Sequence, residues 1–159
     1  MGKEGWAMLA VVALAANAAS AAETAGRYAQ DLGRVYGAYQ RMLAMKEACD
    51  AAVPASRDAN DQAFAAWLER HRALVRELQQ RVTALIRLAS RDQNEYVRNL
   101  GKYEGAILQE RQEYREALLT LGAAELREQC SRMPERLKTP EADLAHVYAA
   151  ELEVIRRRK

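Results

Sequence analysis

FAAWLERHRALVRELQQRVTALIRLA, residues 64–89, is the stretch that decides the fold. Phe64, Trp67, His71, Leu74, Leu78, Val82, Leu85 and Ala89 recur at steps of three and four. That spacing lines them along one side of an α-helix. Glu77 and Arg81 fall four residues apart on the wet side, where an acid followed by a base supports the helix. Neither glycine nor proline interrupts the run.

The same period continues in both directions. Upstream, Tyr28, Leu32, Val35, Tyr36, Tyr39, Met42, Leu43 and Cys49 form the stripe of a first helix over about residues 23–53. Pro54 stops it, because the residue before proline avoids the α region. Ser56, Asp58, Asn60 and Asp61 then offer N-caps for the second helix. Downstream, SRDQNE (90–95) predicts a break, with Asp92 and Glu95 in capping-box spacing. A third helix follows to about Leu121, with Tyr96, Leu100, Tyr103, Ile107, Tyr114, Leu118 and Leu121 on its stripe. Gly122 stops it.

Residues 123–138 predict a short helix interrupted before Pro134. TPEAD (139–143) predicts a fresh start, with Thr139 as cap, Pro140 in the first turn and acids facing the positive helix end. Leu144, Val147, Tyr148, Leu152 and Ile155 then face inward. The expectation is all-α: an antiparallel bundle of three long helices plus a shorter C-terminal helix, in one domain over residues 22–159. Low glycine and proline, eight and three residues, agree with it.

The first residues point to export. Trp6–Ala16 is an apolar run, and Ala19-Ser20-Ala21 fits the small-x-small pattern before a signal-peptidase cut. Residues 1–21 are expected to be a signal peptide, cut after Ala21 or Ala22. The run is shorter than the ~20 apolar residues of a spanning helix, so no stable membrane span is expected after processing. The destination is periplasmic or secreted.

The formal net charge is +2. Arg156, Arg157, Arg158 and Lys159 concentrate positive charge at the end and leave the body slightly acidic. No basic face of the kind that binds nucleic acid runs along the chain. The terminal run suits a helix C-terminus.

Cys49 and Cys130 are the two cysteines. In an up-down-up bundle, the end of the first helix and the end of the third lie at one pole. Cys49 precedes the first end, and Cys130 follows the second. With export supplying an oxidising compartment, the expectation is a Cys49–Cys130 disulfide. No C-x-x-C is present, and neither histidine sits beside a cysteine in a catalytic signature.

Among other groups, His71 lies on an apolar stripe, and Asp143 and His146 have D-x-x-H spacing. These three are the metal candidates, but a di-iron bundle needs two such motifs and further acids. Counted by helical rise, His71 and His146 fall at different heights and are not expected to share a site. The seven tyrosines read as a bundle rim. Gly33 with Gly37, and Gly101 with Gly105, suggest close approach by a neighbouring helix or a second subunit. Glu23 with Arg27, Glu128 with Arg132 and Glu153 with Arg157 read as surface i,i+4 pairs. No acid pair stands out for general acid–base catalysis.

The signal-type start, KEACDAAVP (46–54), AFAAWLERH (63–71) and the late Cys130 together resemble small exported bacterial α-helical two-cysteine proteins. That resemblance implies no activity and no site residues. The L-T-x-x-Q repeat of the periplasmic stress chaperones is lacking. The functional expectation is a non-enzymatic, protein-binding module of inhibitor or immunity type, with no cofactor. Its partner is expected to be another envelope protein, docking near Phe64, Trp67 and Tyr103, and a homodimer is compatible with this. The alternative is a small-ligand or metal-binding bundle, and an unrecognised hydrolase ranks third.

Overall fold

A computed structural model describes the backbone of residues 5–157 and the side chains of residues 26–157. The expected signal peptide, its cut after Ala21 or Ala22, and the Glu23 pair depend on side chains outside the described residues. So do Arg158 and Lys159.

Among the described residues the chain is helical throughout, with no strand. Helix α1 spans Gly5–Ala52 and α2 spans Arg57–Leu88. Helix α3 spans Gln93–Leu119 and α4 spans Ala123–Arg136. The end of the chain is broken into a 3-10 turn at Pro140–Ala142, a single-turn α5 at Leu144–Val147 and α6 at Ala149–Arg157.

Local chemistry sets each junction. Pro54 opens a 3-10 turn after α1. There the Ser56 hydroxyl donates to the Val53 carbonyl at 2.9 Å and accepts from Asn60 Nδ2 at 3.1 Å. At the next break, Asp92 Oδ1 accepts from the Glu95 N–H at 2.8 Å. The Glu95 carboxylate reaches back to the Arg91 N–H at 2.7 Å. The expected capping box is therefore present in a variant form, closed one residue early.

Directions follow from the cross-helix contacts. Helix α2 runs antiparallel to α1, since Lys46 pairs with Asp61 and Tyr39 stacks on Trp67. Helix α3 turns back parallel to α1, with Arg41 near Glu110 at 3.9 Å and Arg111 Nε donating to Glu47 at 3.1 Å. The segments α4 to α6 climb beside α2. Arg70 donates to the Leu137 carbonyl at 2.7 Å, and Arg81 donates to the Ile155 carbonyl at 2.8 Å.

The core lies where α1, α2 and the C-terminal arm meet. Leu32, Val35, Met45 and Cys49 of α1 face Phe64, Trp67, Leu74, Leu78 and Val82 of α2. Leu126, Cys130, Met133, Leu152 and Ile155 close it. Cys49 and Cys130 are joined, with Cα atoms 5.4 Å apart. Helix α3 is different. It has no buried residue, and its stripe of Tyr96, Leu100, Tyr103 and Leu118 is only half-covered.

Two expectations about the arm are corrected. Helix α4 runs through Pro134, held by Leu126, Cys130 and Met133 buried at three- and four-residue steps. The C-terminal element is not one helix starting at Thr139. The side chain that caps is Asp143, whose Oδ1 accepts from the Ala145 N–H at 2.9 Å. Tertiary bonds impose the break. The Trp67 indole N–H donates to the Ala142 carbonyl at 2.7 Å, which holds residues 137–143 against α2 in a non-α course.

Candidate functional site

His71 is a buried polar residue of the bundle, as are Asp31, Gln40 and Asn60. Its ring lies 4.3 Å from the Trp67 ring and is 4% exposed. Nδ1 lies 2.8 Å from the Trp67 carbonyl, which accepts only and so puts the proton on Nδ1. Nε2 then accepts from the Leu144 N–H at 3.2 Å. Asp143 Oδ1 stands 3.3 Å from the same Nε2.

The broken arm brings His146 to this place as well. Arg70, His71, Lys138, Thr139, Asp143 and His146 line one open cleft of about 410 Å³. The two histidines therefore share a site, contrary to the count by helical rise, because residues 137–143 do not advance as an α-helix. His71 does not offer a metal ligand to this cleft. Both His71 nitrogens are occupied by backbone groups, so this imidazole has no lone pair free for a metal. Among the described residues no group of three or more His, Cys, Asp or Glu is arranged to hold one. The Asp143 carboxyl lies below the usual range. Burial pushes it up, but hydrogen bonds from the Ala145 and His146 N–H groups pull it down. The arrangement reads as a structural clasp between α2 and the arm.

The face expected around Phe64, Trp67 and Tyr103 is not at the surface. Phe64 and Trp67 are 6% and 0% exposed, stacked with ring centroids 5.5 Å apart in the core. Tyr103 is half-buried on α3. Its hydroxyl is enclosed without a hydrogen-bond partner among the described residues. Burial pushes its pKa up to about 12, with Tyr36 and Glu110 adding to the shift.

The glycine expectation is also altered. A Cβ added at Gly33, Gly101 or Gly105 would meet nothing within 4 Å. Only Gly37 lies at an interface, with Arg41 and Glu110 each 3.7 Å from the added atom. Close packing among the described residues does not account for Gly101 and Gly105.

The outer face of α3 was not singled out by periodicity. Val97, Leu108 and Leu119 stand exposed on it at 57%, 62% and 36%. Leu88, at the end of α2, is exposed at 79%. The signal was present in the sequence as an 11-residue interval, which is about three helical turns. Beside α3, an open groove of about 690 Å³ runs to α4, lined by Met45, Tyr114, Leu118, Leu121 and Arg132 among others. No helix among the described residues is long and apolar enough to cross a membrane.

Comparison with known proteins gave no match: no family model, no curated protein and no solved structure resembles the chain.

Proposed function

We propose that this chain is an exported, non-enzymatic protein-binding module, periplasmic or secreted, whose docking surface is the outer face of α3. The observation that supports this most is the line of Val97, Leu108 and Leu119 left outside a helix with no buried residue. Single exposed apolar side chains are ordinary. Three in one line on the least covered helix are what a partner would cover. The Cys49–Cys130 bond and the signal-type N-terminus support export. An inhibitor or immunity-type role fits a cross-linked helical surface.

Docking is tested in cells by placing a photo-crosslinking residue at Val97 and, as a control, at exposed Arg127 of α4. The reading expects a discrete protein adduct from position 97 and none from 127. Adducts from neither position, or equally from both, would sink it. Export is tested by intact mass without reductant. The expected mass lacks residues 1–21 or 1–22 and is two hydrogens below the dithiol. A full-length mass would count against export.

A further inference from the structure

The outer face of α3 carries a charge pattern as well as an apolar line. At 3.6 residues per turn, Val97, Leu108 and Leu119 lie almost directly above one another along about 33 Å of helix. Arg98 and Glu116 both lie about 100° around the helix from Val97, on one side of this line, and Glu104 and half-buried Arg115 lie within about 20° of Val97, close against its other side. None of these four charges forms an ion pair among the described residues. Each edge thus holds one cation and one anion, on opposite sides of Leu108.

We propose that the occupant of this face is a second copy of this chain, its α3 antiparallel to the first across a twofold axis at Leu108. This rests on the reading of α3 as a docking surface. The twofold sets Leu108 against Leu108 of the second copy and Val97 against Leu119 of the second copy. Antiparallel helices bring like edges together. Arg98 then falls within two residues of the level of Glu116 of the second copy, and Glu104 within three of Arg115. Symmetry repeats both pairs. A parallel pairing would set Glu116 near Arg115 of the second copy but leave Arg98 six residues, about 9 Å along the axis, from Glu104.

Gly101 and Gly105 fit the same arrangement. Glycine inside a helix costs about 1 kcal/mol relative to alanine, and neither position is crowded by the described residues. Gly101 falls level with Arg115 of the second copy, where the missing side chain leaves room for the arginine stem to reach Glu104. The contact is two helices wide, at the low end of specific interfaces. A dissociation constant in the micromolar range is expected.

Sedimentation of the purified, oxidised chain over a concentration series tests this, with Leu108→Arg, Arg98→Glu and the double variant Arg98→Glu/Glu116→Arg. Wild type should pass from monomer to dimer. Leu108→Arg should remain monomeric with an unchanged helical circular-dichroism spectrum. Arg98→Glu should weaken the dimer about tenfold, since symmetry counts each edge pair twice, and the double variant should restore it. A monomer at every concentration overturns the proposal, as does a dimer insensitive to Leu108→Arg. A monomer that still crosslinks from position 97 to a different protein overturns the second copy and leaves docking at α3 standing. A monomer with no adduct overturns both.

Discussion

Tyr103 encloses a hydroxyl that meets no partner among the described residues, and such a group subtracts from stability. Tyr103→Phe removes it while keeping the ring. The expected result is an unfolding free energy unchanged or raised by about 1 kcal/mol, measured by chemical denaturation at neutral pH. The alkaline limb follows from the raised pKa. The folded value is about 12 against 10.0 for the free side chain. Ionisation is therefore easier in the unfolded chain, and stability falls as pH rises from 10.0 towards about 12. The phenylalanine variant should lack that part of the alkaline loss.

Glu77 works in the opposite direction. A charge-assisted hydrogen bond from Arg156 at 2.8 Å holds its carboxyl below the usual 4.5, and Arg81 adds to this against the cost of burial. A depressed folded pKa contributes stability that is present above about pH 4.5 and lost as pH falls through the folded value. Glu77→Gln should be less stable at pH 7 and should flatten the acid limb of the stability curve. An acid limb identical to wild type would show that Glu77 is not a contributor. The Glu77–Arg81 pair was legible from its spacing. The Arg156 bond was not, because nothing local links positions 79 residues apart.

The long elements were legible because their signals are local. Pro54, Asp92 with Glu95, and Gly122 mark the ends of α1, α3 and the α3–α4 connection within a residue or two. Asp92 supplies the cap of α3, so Asp92→Ala should cost about 1 kcal/mol. The loss should appear in α3 first, as faster amide exchange at residues 93–96 while α2 stays protected. Equal loosening of α2 would show that the two helices unfold as one unit.

The C-terminal arm was less legible for a physical reason. Leu144, Tyr148, Leu152 and Ile155 keep helical spacing, and only contacts with α2 reveal that the arm is broken. The Trp67 and Arg70 bonds to Ala142 and Leu137 set its course. That course brings His146 into the cleft beside His71. The same holds for the expected partner face: a stripe does not say what covers it, and Trp67 is covered by Tyr39 of α1 and by the arm at Ala142. Conversely, the face of α3 left uncovered has a period of 11, which a search for three- and four-residue steps passes over.

At the scale of the molecule, one covalent bond ties α1 to the arm across a sequence separation of 81. In the chain-entropy account a loop of that length contributes about 4.5 kcal/mol, a large share of the ~5–15 kcal/mol typical of a domain. Replacing both cysteines by serine should lower the denaturation free energy by about that amount. A loss under 1 kcal/mol would mean that packing alone holds the arm. The compartment expected from the sequence and the bond seen in the fold are mutually consistent, since such a bond persists where the surroundings oxidise.

The same bond makes α2 and α3 part of a closed ring, with exposed Arg91 and Asp92 at the turn between them. A nick at that turn would cut a linear chain in two. Here it only opens the ring: both fragments stay joined through Cys49 and Cys130 and separate only after reduction. A protease gains entry to the molecule without gaining a free piece of it.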